Sequence, residues 1–247
     1  MIAWHDQVGG SGAARVDRYF TDVSGGVSAS PYEGLNLGAH VGDRPEDVER
    51  NRALLAEAVD VPAERLVFMN QVHGSSVEVI TAPRAAEAPP SDGVVTRTAD
   101  LALVVLVADC VPVLLADPVA GVVAAVHAGR PGMTAGVVPE TIRRMREMGA
   151  GTIHAAVGPS VCGRCYEVPA EMRAGAGTVT PSAWTVSWVG TPAIDVAAGV
   201  VGQLADAAAE VEWVPGCTRE SPSLYSYRRD GRTGRFAGVI VLRGEKS

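Results

Sequence analysis

The sequence has little positive charge, few cysteines and histidines, and no long apolar run. Its 247 residues include 21 lysines and arginines against 28 acidic residues, for a formal net charge of −7. This balance disfavours a broad binding surface for nucleic acid or anionic lipid. We therefore expect a small-molecule ligand, with no nucleic-acid partner and no membrane partner.

No apolar run approaches the roughly 20 residues that a helix needs to cross a bilayer. The first residues, MIAWHDQVGG, contain no basic region followed by an apolar core, so we predict a cytoplasmic protein. The sparse cysteines do not suggest a small secreted domain held by disulfides, and a chain of this length does not need them. We expect free thiols at Cys110, Cys162, Cys165 and Cys217.

Hydrophobic residues are plentiful, at 47% of the chain, and the length is near the upper size of one domain. The most linker-like stretch, TAPRAAEAPPS at 81–91, replaces the apolar pattern with Pro, Ala and charge. We interpret it as a surface loop and residues 1–247 as a single domain. The expected oligomeric state is a monomer or a small homo-oligomer.

Short runs rich in Val, Ile and Leu follow one another between turn residues, as successive strands do. They are LVFMNQVHG, VEVI, DGVVT, LALVVLVADC, VPVLL, GVVAAV and IHAAVG. The runs at 101–107 and 121–126 lack polar alternation, which predicts central strands covered on both faces. The ADPVAG turn predicts a hairpin of VPVLL with GVVAAV.

Helices interrupt these strands. Asp43, followed by a proline and a glutamate, is a start signal for a helix over about 46–58. TAGVVPETIRRMREMG predicts a helix ending on Gly149, and Asp195 should cap a helix that begins DVAAGVV. The C-terminal SLYSYRRDGRTGRFAGVIVL suggests two β-rich runs around a turn. The pattern predicts a mixed α/β domain.

Three potential metal ligands each follow an apolar strand: His73 ends LVFMNQVHG, Cys110 ends LALVVLVADC and His127 ends GVVAAVH. Neighbouring strand ends can bring them together, and two imidazoles with a thiolate suit zinc. Three protein ligands leave a fourth position open, which is the catalytic arrangement. The spacing alone fits equally well a buried cysteine packed as a small hydrophobe and histidines hydrogen-bonded near the core.

Nearly the whole chain is covered by a series of motifs: GGVSASPYEGLNLGAHVGD, NQVHG, DGVVT, ADCVPVLLAD, VHAG, GPSVCGRCYEV and CTRESPSLYSYRRDGRTGR. In this order they closely resemble the YfiH/laccase-domain family, also called the multicopper polyphenol oxidase family and purine nucleoside phosphorylases. The resemblance implies mixed β-sheets sandwiched between helix layers in a YfiH-like fold. It also implies that His73, Cys110 and His127 bind an active-site zinc.

One position departs from the family pattern. The family usually continues VHAG with Trp, Arg and Gly, whereas Arg130 and Pro131 follow it here. An aromatic platform is lost and a guanidinium moves by one residue. The departure bears on the substrate more than on the metal.

An arginine cluster and an asparagine are candidate substrate contacts. Guanidinium groups match the oxygens of phosphate, and the cluster comprises Arg228, Arg229, Arg232 and Arg235. We predict that Arg228 faces inward and binds substrate, and that most of the others lie on a solvated hairpin. Asn36, in LNLG, either contacts substrate or holds a turn.

The remaining thiols and histidines carry weaker signals. Cys162 and Cys165 form a CxxC, which could be a redox pair or half of a structural zinc site. Because a second CxxC is absent, we expect two unrelated thiols, with Cys217 in packing. We expect His5, His40 and His154 to be structural or exposed.

The resemblance implies phosphorolysis of adenosine, inosine and methylthioadenosine by phosphate to a base and a sugar 1-phosphate, with hydrolytic deamination of adenosine as a companion activity. A zinc cofactor suits the deamination. An open metal site argues against a non-enzymatic binding module.

Two other enzyme classes stay open. Two histidines and a cysteine are also the equatorial ligands of blue copper, with Met69 or Met133 as axial partner, which would suit a copper-dependent polyphenol oxidase. Five histidines are too few for the additional copper cluster of a full laccase. The other class is a cysteine hydrolase acting on peptidoglycan precursors, in which His127 activates Cys110 as nucleophile.

Overall fold

A computed structural model describes residues 1–10, 12–83 and 88–244. The strands are β1 (Ile2–Val8), β2 (Val16–Thr21), β3 (Leu66–Phe68), β4 (Val77–Ile80), β5 (Gly93–Thr96), β6 (Ala102–Val107), β7 (Val111–Asp117), β8 (Val122–Ala128), β9 (His154–Val157), β10 (Trp184–Val186), β11 (Pro192–Ile194), β12 (Glu210–Trp213) and β13 (Phe236–Leu242). The helices are α1 (Pro45–Ala58), α2 (Arg130–Ala135), α3 (Val137–Glu147), α4 (Ala170–Val179), α5 (Val196–Asp206) and α6 (Tyr227–Asp230).

The strands form two large mixed sheets and one small ribbon. The five-stranded sheet has the order β1, β2, β13, β6, β3, and the six-stranded sheet has the order β12, β9, β7, β8, β5, β4. Parallel pairs occur at β3 with β6, at β4 with β5 and at β9 with β12, whereas the other neighbours are antiparallel. The β7–β8 pair is the predicted hairpin. Strands β10 and β11 form the ribbon.

The two sheets pack face to face, and helices cover their outer faces. Apolar side chains of both sheets, including Phe20, Val105 and Leu114, share one buried cluster. Helix α1 covers the five-stranded sheet through Leu55, and α3 and α5 cover the six-stranded sheet through residues such as Ile142. Strands β6, β7 and β8 are buried at every residue, so the predicted central strands and the predicted layered α/β fold are confirmed.

Two predicted helices have the expected ends. Asp195 caps α5, because its carboxylate accepts a hydrogen bond from the backbone N–H of Ala198 at 2.9 Å. The helix predicted before Gly149 is present but divided, since Gly136 adopts a left-handed backbone with φ 83° between α2 and α3. In the described ranges no helix has the length and apolarity to cross a membrane.

Asp43 has a different role from the predicted cap. Helix α1 spans the expected region, but its N-cap is Arg44 and no side chain caps it. The Asp43 carboxylate instead accepts hydrogen bonds from the Ser28 hydroxyl at 2.7 Å and from the Asn36 amide at 2.8 Å. It therefore ties the preceding loop to the start of the helix.

The C-terminal region contains one strand where two β-rich runs were predicted. The second run is β13, which inserts between β2 and β6 in the middle of a sheet. The first run contains α6, because Ser226 caps a helical turn and the Asp109 carboxylate accepts the backbone N–H of Arg228 at 2.6 Å. These long-range hydrogen bonds replace the predicted hairpin.

Of the loop predicted at 81–91, residues 84–87 lie outside the described residues. Its last part is attached to the chain beyond β3, where the backbone N–H of Ser91 donates to the carbonyl of Asn70 at 3.0 Å.

A buried carboxylate stabilises the end of the five-stranded sheet. Asp17 on β2 is fully buried and accepts hydrogen bonds from Arg15 at 2.9 Å and from Arg243 at 2.6 Å. Burial by itself raises the pKa of Asp17, but the hydrogen bonds from the two arginines outweigh it and hold the pKa below its ordinary value. The stabilising contribution is therefore present above about pH 4 and lost as the pH falls through the lowered pKa of the folded state.

We expect Asp17→Asn to lower the free energy of unfolding at pH 7 by about 2 kcal/mol, because charge-assisted hydrogen bonds are lost from a buried site. The difference from the wild type should shrink at pH 3, because the carboxylate of the unfolded wild-type chain takes up a proton below its ordinary pKa. Urea unfolding at both pH values measures this. The exposed Asp206→Asn is the control, with an expected change under about 0.5 kcal/mol. An Asp17→Asn deficit of equal size at both pH values would contradict the assignment.

Candidate active site

The three predicted ligands meet where the chain crosses between the sheets. Strand β6 belongs to one sheet and β7 to the other, and Cys110 immediately precedes β7. His127, near the end of β8, is paired in register with Pro112 of β7. The ligand atoms of His73, Cys110 and His127 lie within 4.8 Å of one another. Cys110 Sγ is 3.6 Å from His73 Nε2.

Asp92, just before β5, holds both histidines. Its Oδ1 lies 2.7 Å from His127 Nδ1 and accepts the backbone N–H of His73 at 2.9 Å. Burial alone raises the pKa of Asp92, but the hydrogen bonds from His127 and from the backbone of Gly74 outweigh it and lower the pKa. Because an ionised carboxylate only accepts hydrogen bonds, His127 Nδ1 carries a proton, and the neutral form of the ring therefore presents Nε2 to a ligand.

Two non-glycine residues beside the ligands have strained backbones. His73 has φ 61° and Asp109 has φ 95°, both in the left-handed region. Hydrogen bonds hold them there: the Asp109 carboxylate accepts the hydroxyls of Thr218 and Ser226, each at 2.6 Å. Strain maintained in this way is concentrated at functional sites.

Gly129 leaves the space that His73 and Cys110 occupy. A Cβ at this position would lie 2.6 Å from His73 Cδ2 and 3.1 Å from Cys110 Sγ. The final glycine of VHAG is therefore required by the close approach of the His73 and Cys110 side chains to the backbone.

The site stabilises the thiolate form of Cys110. Burial raises the pKa of the Cys110 thiol, but the adjacent His127 and His73 outweigh burial and lower the pKa. Burial lowers the pKa of His127, whereas the charge of Cys110 and the hydrogen bond to Asp92 raise it overall. The thiolate is the form in which cysteine binds metal.

These donors fit the zinc ion that the family resemblance implies. Two imidazole nitrogens and one thiolate are ligands of Zn²⁺, and the carboxylate behind His127 is the usual orienting partner of such a histidine. The short distances among the three donor atoms allow one ion to reach all of them.

The ligands border a cavity of about 1070 Å³. Four guanidinium groups line it, from Arg52, Arg130, Arg228 and Arg235. The guanidinium carbon of Arg228 lies 4.6 Å from the centre of the Tyr166 ring, and that of Arg52 lies 3.9 Å from the centre of the Phe68 ring. The cavity therefore combines candidate metal ligands, positive charge and aromatic surface.

The predicted arginine cluster is divided between two roles. Arg228 and Arg235 line the cavity, whereas Arg229 donates to the carbonyls of Thr218, Ser221 and Leu224. Arg232 donates to the hydroxyl of Tyr32 at 2.6 Å. Arg229 and Arg232 are both exposed, as expected, although hydrogen bonds to backbone carbonyls and to a tyrosine hold their guanidinium groups in place.

Asn36 does not line the cavity. Its side chain is fully buried, and its Oδ1 accepts the backbone N–H groups of Gly38 at 3.0 Å and Arg235 at 2.9 Å. Of the two roles open to Asn36, these hydrogen bonds are those of the turn, and they also position the backbone of the cavity residue Arg235.

Four residues of the site were not among the predicted ones. Asp92, Gly129 and His40 lie in motifs that the family resemblance covers, and His40 is exposed, as expected, but also lines the cavity. Arg52 lies on α1, in a stretch without a local signal. Only the packing of α1 on the five-stranded sheet brings its guanidinium to the cavity.

The chain is similar to known proteins over nearly its whole length. Residues 17–243 match the family described as multi-copper polyphenol oxidoreductase laccase. The chain is 54% identical over 246 residues to a Streptomyces coelicolor protein named purine nucleoside phosphorylase, which covers 98% of this chain and 100% of the relative. A Mycobacterium tuberculosis protein of the same name is 47% identical, with 94% of each chain covered.

Solved structures show the same fold. A Neisseria meningitidis protein has a TM-score of 0.84 at 34% identity, covering 97% of this chain and 99% of its own. YlmD from Geobacillus stearothermophilus has a TM-score of 0.83 at 33% identity, covering 93% and 92%. Because the similarity extends over nearly the whole length in both sequence and structure, the chain belongs to the laccase-domain (YfiH) family.

Proposed function

We propose that the protein is a zinc-dependent purine nucleoside phosphorylase that acts on adenosine, inosine and methylthioadenosine, with hydrolytic deamination of adenosine as a companion activity. The observation that carries this proposal is one cavity in which the His73, Cys110 and His127 ligands lie together with four arginines. The names of the relatives at 54% and 47% identity support the substrate class.

Phosphorolysis needs an anion site beside the sugar. A phosphate oxygen forms a bond to the anomeric carbon while the glycosidic C–N bond breaks, and the electron pair of that bond leaves with the base, which takes up a proton. The sugar passes through an oxocarbenium-like state. The residues of the cavity must therefore hold phosphate against the anomeric carbon, and guanidinium groups match its oxygens.

Arg130, Arg228 and Arg235 have donors available for phosphate. Within the described residues, the Arg130 guanidinium has no hydrogen-bond or ion-pair partner, and Arg235 uses only Nη1, to the carbonyls of Thr233 and Gly234. Arg52 differs, because its Nε and Nη2 both donate to the carbonyl of Leu37. We assign phosphate binding to the first three and the positioning of the Phe68 ring to Arg52.

Aromatic rings of the same cavity suit a purine base. Phe68, Tyr166 and Tyr227 line it, and flat rings stack favourably on one another. When bound to His73, Cys110 and His127, a zinc ion supplies the Lewis acidity that hydrolytic deamination requires. Asp92 then keeps His127 in the tautomer that exposes Nε2.

The histidine positions favour zinc over a multi-copper centre. His5 stacks on Tyr19 at a ring distance of 4.4 Å, and His154 pairs with Glu210 at 3.1 Å, so both are engaged on strands away from the cavity. Met133, one of the two axial partners proposed for copper, is fully buried in the helix-covered core. The family's copper-based description is therefore less well supported by these ligands than a single zinc.

A cysteine hydrolase acting on peptidoglycan precursors is the second candidate. The Cys110 sulfur lies 3.6 Å from His73 Nε2. Both histidines lower the pKa of the Cys110 thiol, as they would for an activated nucleophile. Metal binding and nucleophilic attack make opposite predictions for substitutions at Cys110.

Incubation of the purified protein with adenosine, with and without inorganic phosphate, tests the reaction. We expect adenine and ribose 1-phosphate only when phosphate is present, because the arginines hold phosphate as the attacking group. Inosine should form without phosphate, because deamination consumes water. Chromatography of the products separates these outcomes. Adenine formed at equal rates without phosphate, or no product at all, would overturn the proposal.

Cys110→Ser should lose one zinc per chain relative to the wild type and nearly all phosphorolysis, in parallel, if the thiolate is a ligand. Cys110→Asp should keep part of both, because a carboxylate also coordinates zinc at a similar distance. Elemental analysis and nucleoside phosphorolysis on the same preparations measure the two effects. Undiminished zinc in an inactive Cys110→Ser protein would instead favour the hydrolase.

Gly129→Ala should reduce zinc binding at this site and lower kcat/KM at least ~10-fold, because its Cβ would displace His73 and a small misplacement of a ligand is costly. Gly175→Ala is the matched control. Gly175 lies in α4 with no atom within 4 Å of an added Cβ, so alanine should raise stability by about 0.5–1 kcal/mol and leave activity unchanged. Equal zinc content and activity in the two variants would refute the role of Gly129.

A further inference from the structure

Three of the four cysteines form a second cluster, together with a glutamate. The ligand atoms of Cys162, Cys165, Cys217 and Glu220 all lie within 4.8 Å of one another, and none of these cysteines is in a disulfide. We call these four residues the thiol cluster. The sequence suggested no link among these three cysteines, but the structure brings their sulfurs together.

Each half of the thiol cluster is a tight turn with ligands three residues apart. The backbone N–H of Cys165 donates to the carbonyl of Cys162 at 2.9 Å. In the same way, the backbone N–H of Glu220 donates to the carbonyl of Cys217 at 3.2 Å. A ligand pair separated by two residues is the usual spacing of structural zinc sites, so a C-x-x-E turn replaces the missing second CxxC.

The two turns are joined by the sheet. Strands β9 and β12 pair in parallel, so the segments that follow them begin side by side at the carboxyl ends of the two strands. Ser160 and Cys217 continue this pairing as a parallel bridge, in which the backbone N–H of Thr218 donates to the carbonyl of Ser160 at 3.1 Å. The backbone N–H of Cys162 also donates to Cys217 Sγ at 3.4 Å, so one turn is hydrogen-bonded directly to the sulfur of the other.

We propose that the thiol cluster binds a structural zinc ion through Cys162, Cys165, Cys217 and Glu220. Four protein ligands make the closed coordination of structural sites, and tetrahedral zinc accepts both thiolate sulfur and carboxylate oxygen as ligands. Tetrahedral zinc with Zn–S bonds of about 2.3 Å holds its sulfurs about 3.8 Å apart, so the turns need to close by about 1 Å at most. A disulfide would use two of the sulfurs and leave the third without a partner.

The proposed ion connects the thiol cluster to the wall of the cavity. Val161, beside the first turn, donates its backbone N–H to the carbonyl of Asp109 at 2.9 Å. Thr218, in the second turn, donates its hydroxyl to the Asp109 carboxylate at 2.6 Å. Both turns therefore hold the residue that precedes Cys110, and a zinc ion between them fixes the strained conformation of Asp109. The proposed structural zinc at the thiol cluster does not depend on which reaction the cavity catalyses.

Cys110→Ser isolates this second site, because it removes the only other thiol. We expect Cys110→Ser to retain about one zinc per chain and, when loaded with Co²⁺, to show a thiolate-to-cobalt charge-transfer band. Adding Cys162→Ser and Cys217→Ser should abolish both the zinc and the band. With Cys110 intact, the Cys162→Ser/Cys217→Ser protein should retain one zinc of the wild type's two.

Glu220→Gln provides a test that leaves every thiol in place, in case the serine variants do not fold. In the Cys110→Ser background, competition with a chelator should show at least ~10-fold weaker zinc binding for Glu220→Gln and tighter binding for Glu220→Cys. Glu171→Gln, an exposed substitution on α4, is the matched control and should leave the affinity unchanged.

Three results would overturn this proposal. They are a Cys110→Ser protein with neither zinc nor the cobalt band, a disulfide among the three cysteines of protein purified under reducing conditions, and equal zinc affinities for Glu220→Gln and Glu171→Gln. Retention of both zinc ions in a wild-type protein without phosphorylase activity would contradict the proposed function and leave the structural site intact.

Discussion

Face-to-face burial of two mixed sheets confines the polar chemistry of this protein to the ends of its strands. Strands β6, β7 and β8 are buried along their whole length, and an unpaired polar group inside them would cost several kcal/mol. Polar side chains are instead gathered where the chain leaves one sheet for the other. Cys110 lies at this crossing, and His127 lies beside it on the adjacent strand.

Two carboxylates make the crossing rigid. Asp92 accepts hydrogen bonds from the His127 ring and from the backbone of His73, and Asp109 accepts the hydroxyls of Thr218 and Ser226. To make these contacts, His73 and Asp109 both adopt strained, left-handed backbone conformations. A metal site benefits from this, because ligands that are already held in place lose little entropy when an ion binds.

The composition of the two candidate metal groups suits one to catalysis and the other to structure. His73, Cys110 and His127 supply three ligands beside a cavity, which leaves room for substrate chemistry. The thiol cluster offers four ligands between two turns, an arrangement suited to structure. Asp109 lies between them: its carboxylate is bound by the thiol-cluster loop, and Cys110 follows it in the chain.

Several features could be predicted because they depend on neighbouring residues. Unbroken apolar runs identified the central strands, and Asp195 identified the start of α5. The family motifs around His73, Cys110 and His127 predicted a group that the structure does bring together. Other predictions failed where distant contacts outweighed local preference. The Asp43 carboxylate accepts hydrogen bonds from Ser28 and Asn36 instead of capping α1. The Asp109 carboxylate accepts the backbone N–H of Arg228, in a helical turn where a strand was predicted.

The amino-acid sequence by itself therefore predicted the α/β class and the buried central strands, because burial patterns act within a few residues. Its family motifs implied the layers and the candidate ligands His73, Cys110 and His127. Only the tertiary structure decided which arginines face the cavity and that the thiol cluster exists. Cys162 and Cys217 are separated by 55 residues, and no local pattern joins them. Their meeting follows from the parallel pairing of β9 with β12, which brings the segments after both strands to the same edge of the sheet.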